Sequence, residues 1–297
     1  CITSPPYWGL RDYGIEGQLG AEPTMEAYLD NTIRWVKEVW RVLKPTGNFV
    51  LNMGDTFCGG GGGDYSKSIS AKRSVPANKL NRIKNEGIYK PKQLLSVSSF
   101  AYCRIVSETD FVCRGEHIWA KPNVPSPIRS RLKHSHEKLF WFVKDADKYY
   151  FEPKAWMKPC NKEKARPNPR FIAGVIGASP TSCFTTGEST NTETIEHSWR
   201  IIPVGEKQNG FEMEGERPAS EHIAPFPTTL IKPYIKSLCP QEGTVLEPFL
   251  GSGTTMRVAM ENGRNAIGIE LNEKYISYTK KRLNWGAGLN TEYSECM

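Results

Sequence analysis

Two short stretches of the 297-residue chain combine residue types that can do chemistry. The first is Ile2-Thr3-Ser4-Pro5-Pro6-Tyr7-Trp8. Each proline ring locks φ, and a residue before proline is held extended, so Pro5 and Pro6 make a rigid turn at the end of a strand. Neither proline donates an N–H, so the carbonyls around them need donors from elsewhere. Ser4 adds a hydroxyl, and Tyr7 and Trp8 add flat faces. Such a turn suits a planar amine, accepting hydrogen bonds from its amino group and stacking on its ring. A proline turn packed beneath aromatic residues, with no ligand, fits the same seven residues.

The second stretch is Val245-Leu246-Glu247-Pro248-Phe249-Leu250-Gly251-Ser252-Gly253-Thr254-Thr255. An apolar strand ends in a carboxylate, a tight Gly-Ser-Gly turn follows, and a helix begins. Glycine permits positive φ and close approach of a ligand to the backbone. The helix start presents free N–H groups. The next strand, Ile267-Gly268-Ile269, delivers Glu270 where a carboxylate can take both hydroxyls of a ribose. A phosphate-cradling loop needs Gly-Lys-Ser/Thr, and no lysine follows Gly253. A nicotinamide-binding turn has a third glycine where Met256 stands. An ordinary Gly-rich strand–helix turn stays open. Glu247 favours another ligand: at the strand tip it repels pyrophosphate and suits a cation bearing an amino group. S-adenosylmethionine, with its ammonium, sulfonium and ribose, meets that description.

The elements that must position these residues follow from periodicity. Residues 1–7 read as a strand end running into the Pro-Pro turn. Tyr28, Val36, Val39, Trp40 and Leu43 recur at helical spacing and predict a helix over 25–43, stopped by Lys44-Pro45-Thr46-Gly47. A buried strand over 48–52 completes a strand–helix–strand crossover, the unit of a parallel sheet. A helix is expected over 93–110 and strands over 111–119 and 138–143. Toward the C-terminus a helix over 227–238 with Pro227 in its first turn and a kink at Pro233, a strand over 244–247, a helix over 254–261, a strand over 266–270 and a helix over 272–283 follow. Residues 58–92, with five consecutive glycines at 59–63, predict a flexible loop. Residues 154–221, rich in Pro, Asn, Thr, Ser and Gly, predict an insertion on the core.

A chain of this length buries a full core, and 24% charged residues mark it as globular rather than disordered. No apolar run approaches the ~20 residues of a membrane span. The chain starts at Cys1, inside a motif, so further residues are expected before it. Eight cysteines lack any Cys-x-x-Cys pair, which argues against a structural metal and for a reducing cytoplasm. The net charge of +7 is uneven. Residues 67–92 carry eight Lys/Arg against one acid, and 121–170 carry thirteen against five. These blocks in an otherwise acidic chain suggest a polyanion footprint, although a solvated lysine-rich loop has the same composition. Arg129, Arg131 and Lys133 cluster within the second block.

Thr3-Ser4-Pro5-Pro6-Tyr7 resembles the catalytic motif of DNA amino-methyltransferases, and Glu247-Pro248-Phe249-Leu250-Gly251-Ser252-Gly253-Thr254-Thr255 resembles their cofactor motif. The order, catalytic motif first, is that of the circularly permuted β group. His222-Ile223-Ala224-Pro225-Phe226-Pro227 is similar to the segment that closes over the methionine end of the cofactor. Trp119-Ala120-Lys121-Pro122-Asn123 and His136-Glu137-Lys138 are similar to the family's middle segments. The likeness covers roughly 1–55, 93–152 and 222–284.

The resemblance implies an α/β, Rossmann-like, doubly wound, mostly parallel seven-stranded methyltransferase sheet. It divides the chain into a catalytic half at 1–153, an inserted target-recognition region at 154–221 and a cofactor-binding half at 222–297. It implies that Ser4, Pro5, Pro6 and Tyr7 are catalytic, with Ser4 and the Pro5 carbonyl accepting from the target amino group and Tyr7 stacking on a flipped-out base. Glu247, Phe249, Gly251, Ser252, Gly253, Thr254, Glu270 and Phe226 would bind S-adenosyl-L-methionine, with no metal. The family more often has Asp where Glu247 stands. Serine before Pro-Pro leans toward cytosine N4 as the acceptor, with adenine N6 the alternative in the same group. The expected partners are double-stranded DNA and a cognate restriction endonuclease. The expected setting is the cytoplasm of a bacterial or phage-infected cell, as a monomer or homodimer. Pro159-Cys160 superficially matches the nucleophile of cytosine-C5 enzymes but follows no buried strand. A methyltransferase fold that binds DNA without catalysis, and an enzyme acting on RNA or a protein amide, are the rivals from other classes.

Overall fold

The computed structural model describes residues 1–11, 13–58, 89–121, 130–132, 134–159, 193–195 and 226–283. The expected loop at 58–92 and insertion at 154–221 lie largely outside the described residues, as do Arg129, Lys133, Cys160 and residues 222–225.

β1 (Ile2–Thr3) runs directly into the Pro-Pro turn. α1 (Met25–Val42) starts at Thr24, whose Oγ1 accepts a hydrogen bond from Ala27 N–H (3.1 Å). This satisfies one of the free donors of a first helical turn. Tyr28, Leu29, Ile33, Val36 and Val39 form its buried stripe. It ends at the expected breaker. There Gly47 N–H donates to the Lys44 carbonyl (2.8 Å), and a Cβ on Gly47 would come within 2.5 Å of Leu43. β2 (Asn48–Met53) then runs parallel to β1, with Ile2 opposite Val50. This is the predicted crossover.

Beyond β2 the sheet changes sense. α2 (Val97–Glu108), β3 (Val112–Ala120) and β4 (His136–Val143) follow, and β4 pairs antiparallel with both β2 and β3. The order is β1-β2-β4-β3. β5 (Met157–Pro159) and β6 (Glu193–Ile195) make a small antiparallel pair of their own. The last part comprises α3 (Thr228–Leu238), β7 (Thr244–Glu247), α4 (Thr254–Glu261), β8 (Asn265–Gly268) and α5 (Glu273–Arg282). β7 and β8 are parallel, and β7 lies beside β1.

Helices cover both faces. Along β2 successive side chains point to opposite sides. Phe49, Leu51 and Met53 pack with Phe140, Phe142 and the stripes of α1 and α2, while Val50 packs with Leu139 and residues of α3, β7 and α4. This is the doubly wound arrangement expected. The strand count and sense differ from expectation. Among the described residues there are one four-stranded and two two-stranded sheets, and two of the three pairings in the largest one are antiparallel. The physical reason is that β3 and β4, consecutive in the chain, pair directly with each other, which only antiparallel neighbours readily do. No seven-stranded sheet is formed among the described residues. Nor is any helix among them long and apolar enough to cross a membrane.

Candidate active site

Because β1 and β7 are neighbours, the turns that follow them emerge at the same rim, where ligands gather in open α/β sheets. The Thr3 hydroxyl, one residue before Ser4, donates to the Glu247 carboxylate, joining residues 244 apart in the chain. Both are buried. A cleft of about 190 Å³ opens there. Ser4 and Pro6 line one side, Phe249, Gly251, Ser252, Thr254 and Glu270 the other, and Phe226 completes it. Of the other residues singled out in the sequence, Pro5 is buried within the Pro-Pro turn, and Tyr7, Glu247 and Gly253 stand behind the lining.

The cofactor-side turn is held rigidly. Gly251 and Gly253 have positive φ (54° and 76°), and a Cβ on Gly253 would come within 2.5 Å of Thr279. Arg282 donates to the Ser252 carbonyl (2.7 Å) and to Thr254 Oγ1 (3.0 Å), and the Thr279 hydroxyl donates to the Gly251 carbonyl (3.1 Å). Glu270 accepts from Gly251 N–H (2.7 Å) and from Asn272 N–H (2.8 Å), one on each oxygen. Its carboxylate is thereby fixed in the lining with lone pairs to spare for a diol. On either side of it Ile269 and Leu271, both more than half exposed, also line the cleft. A carboxylate beside an apolar ledge is the chemistry a nucleoside needs, so these residues fit the adenosyl part of S-adenosylmethionine.

Glu247 behaves differently from the sequence reading, which paired it with the ligand's amino group. One oxygen accepts from Thr3 and from Phe249 N–H (3.1 Å), the other from the Thr255 hydroxyl (2.8 Å). Burial pushes its carboxyl up to about 8, against the pull of those three hydrogen bonds. It braces the turn from behind.

On the catalytic side the structure adds residues that sequence reasoning did not assign. The Tyr7 hydroxyl donates to Glu137 Oε2 (2.8 Å) and lies 2.9 Å from Ser4 Oγ. Asn52 Nδ2 donates to Tyr7 Oη (2.9 Å) and Glu137 Oε2 (2.8 Å), with a longer approach to Ser4 Oγ (3.3 Å). Lys121 pairs with the other oxygen of Glu137, its ammonium 3.8 Å above the Trp119 ring centre. The Tyr7 ring lies against Gly54, where a Cβ would meet it at 2.8 Å. Burial, and then the charge of Glu137, push the Tyr7 phenol well above its usual range, so it keeps its proton. The Tyr28 hydroxyl donates to the Pro6 carbonyl (3.1 Å), pinning the turn.

Trp8, expected to offer a face for stacking, is 5% exposed and belongs to the core, with its indole N–H donating to the Glu22 carbonyl (2.9 Å). Packing under α1 has claimed the ring. Asn52 is buried, and its amide oxygen has no partner among the described residues. Its N–H₂ faces Glu137, which leaves that oxygen on the other side. Asn52 was visible only as one polar residue in an apolar strand, whereas Lys121 and Glu137 already lay in segments with family likeness.

A nucleoside-sized cleft shared by a ribose-binding acid, a Gly-Ser-Gly turn and a Ser-Pro-Pro-Tyr turn defines an S-adenosylmethionine-dependent methyltransferase. Comparison with known proteins agrees: a profile described as DNA methylase, covering N6 and N4 enzymes, matches residues 1–281. The chain is 32% identical to the type II methyltransferase M.SmaI of Serratia marcescens, over 95% of this chain and 82% of that protein. It is 31% identical to M.XycI of Xanthomonas campestris pv. cyanopsidis, over 95% and 80%. Among solved structures, the PvuII DNA methyltransferase (cytosine-N4-specific) has the same fold, with a TM-score of 0.54 and 20% identity over 99% of this chain and 80% of that one. The chain belongs to the N6/N4 family of DNA methylases, SAM-dependent enzymes of the type II restriction-modification class.

Proposed function

We propose that this enzyme transfers a methyl group to the exocyclic N4 of cytosine in double-stranded DNA. The observation that carries the proposal is that Ser4 and Pro6 share one cleft with Gly251, Ser252 and Glu270. S-adenosylmethionine supplies a methyl group on a sulfonium, ready for in-line attack. Glu270 would hold the ribose, Ile269 and Leu271 the base, the 251–254 turn the methionine part and Phe226 its outer side, with Glu247 keeping the turn in place.

The target base leaves the duplex at a cost of about a few kcal/mol. The Tyr7 ring stacks on it, offsetting roughly 1–3 kcal/mol. An exocyclic amine is a poor nucleophile because its lone pair is delocalised into the ring. Acceptors at Ser4 Oγ and the Pro5 carbonyl favour a pyramidal nitrogen and aim its lone pair, so that positioning and fixed dipoles supply the acceleration. Serine before Pro-Pro supports cytosine over adenine by family resemblance, with adenine N6 the alternative. The seven-stranded form of the sheet, the halves at 1–153 and 222–297, a target-recognition role for 154–221, and a cognate endonuclease as partner belong to the same proposal. Cytoplasmic placement, as monomer or homodimer, completes it.

The test is incubation of the protein with duplex DNA and isotope-labelled donor, followed by digestion to nucleosides. Label in N4-methylcytosine is the expected result. N6-methyladenine overturns the choice of base, and 5-methylcytosine overturns the mechanism. DNA binding with no label at all makes the chain a binding module.

A further inference from the structure

The direction of the hydrogen bonds around Ser4 can be read from donor counting. A carboxylate only accepts, and a phenol has one proton. The Tyr7 proton therefore lies on its 2.8 Å bond to Glu137 Oε2. In the 2.9 Å contact between Ser4 Oγ and Tyr7 Oη, the donor must then be Ser4. Asn52 gives its two N–H bonds to Tyr7 Oη and Glu137 Oε2, its closest acceptors, and donates only distantly to Ser4. The Ser4 oxygen thus turns lone pairs toward the cleft while its own proton points away from it, along a wire that ends on a carboxylate. No side chain interrupts that wire, because Gly54 stands against both the Tyr7 ring and Glu137 Cγ.

Methyl transfer creates a problem this wire solves. When the amino nitrogen bonds to carbon it becomes positively charged and must lose a proton. We propose that Glu137 is the final acceptor of that proton. The nitrogen's N–H bond breaks, leaving its electron pair on nitrogen, as a new O–H bond forms on Ser4. The Ser4 proton passes to Tyr7 Oη, and the Tyr7 proton passes to Glu137 Oε2. Ser4 and Tyr7 end as they began, Glu137 ends as a neutral acid, and it later returns the proton to solvent water. Glu137 does not touch the base; it is a positioning residue that acts through Tyr7 and Ser4. Lys121 pairs with its other oxygen, and the Asn52 amide orients it. The charged and titratable groups facing it are Tyr7, Lys121 and, at longer range, His134.

This inference rests on the methyltransferase reading above, and the experiment separates the two. Single-turnover transfer to DNA is measured across the acid and neutral range for wild type, E137Q, Y7F and the double variant, with donor affinity measured by calorimetry. Wild type is expected to lose rate on the acid side, because the relay needs an empty acceptor at its end. E137Q keeps the acceptor for Tyr7 but not the basicity. It should be slower by about 10²-fold, lack the acid limb and bind donor as wild type does. E137D should recover part of the limb. Y7F should lose the limb too, and the double variant should be no slower than the worse single variant, because one wire is cut twice. Should E137Q fail to fold, Y7F, which keeps the ring, reads the same limb. Wild-type rates and an intact acid limb in E137Q or in Y7F overturn the relay, as do losses that multiply in the double variant. Absence of any transfer by wild type overturns the underlying reading instead.

Discussion

Glu247 offers a sharp test of how the two halves of the site are joined. Its carboxyl, ordinarily near 4.5, sits at about 8 in the fold because burial disfavours its charge. Between those values the folded protein holds a proton that the unfolded chain releases. The stabilisation is therefore complete below about 4.5 and is lost as pH rises through about 8. The slope in that window is at most about 1.4 kcal/mol per pH unit, for a ceiling of roughly 5 kcal/mol across it. Glu247→Gln copies the protonated acid in shape and neutrality, so it should match wild type near the bottom of the window. It should be the more stable protein at the top, by up to several kcal/mol. Glu247→Ala strands the Thr3 and Thr255 hydroxyls, each 1% exposed, and should be destabilised near the bottom of the window by about 2–6 kcal/mol, at 1–3 per orphaned donor, a deficit that narrows as pH rises because it too lacks the buried carboxyl. Urea unfolding of the three proteins, without donor, at a series of pH values gives the comparison. Parallel stability curves for wild type and the Gln variant would refute the argument, since they would mean that Glu247 is ionised in the fold.

Two further substitutions probe the walls of the cleft separately. Gly54→Ala drives a methyl to within 2.8 Å of the Tyr7 ring, so methyl transfer should fall by at least about tenfold while donor affinity, measured by calorimetry, stays unchanged. Glu270→Ala removes the acceptor for two backbone N–H groups and, on the function proposed above, for the donor's ribose; donor affinity should drop by about 1.5–3 kcal/mol, with only a secondary effect on the rate at saturating donor.

The parts of this molecule that were legible in the sequence are those where backbone conformation leaves few choices. Pro5-Pro6 and Gly251-Ser252-Gly253 demand turns, and the elements flanking them, β1, α1, β2, β7, α4 and β8, lie within a residue or two of where periodicity put them. What was not legible depends on register between distant strands. Glu137 reaches Tyr7 because β4 pairs with β2 so that Asn52 faces Leu139, which places Glu137 beyond Asn52 at the same rim. No local pattern states that pairing, nor that β3 and β4 run antiparallel. Glu247 was read as facing a ligand because it ends a strand. Which way it faces is decided by β1 lying alongside, and that neighbour is far away in the chain. Trp8 was misjudged for a related reason: an aromatic ring next to a reactive turn looks available until the helix above it is in place.

The bond between Thr3 and Glu247 also constrains the catalytic cycle. It welds the floor of the cleft, so the distance a methyl group must cross is a property of the resting sheet rather than of a closing movement. The segment around Tyr13 and Leu19, which also lines the cleft, is tied to the same turn: Gly9 N–H donates to the Gly20 carbonyl (2.9 Å) and the Trp8 indole N–H to the Glu22 carbonyl (2.9 Å). Accuracy of aim in such an arrangement is inherited from the fold.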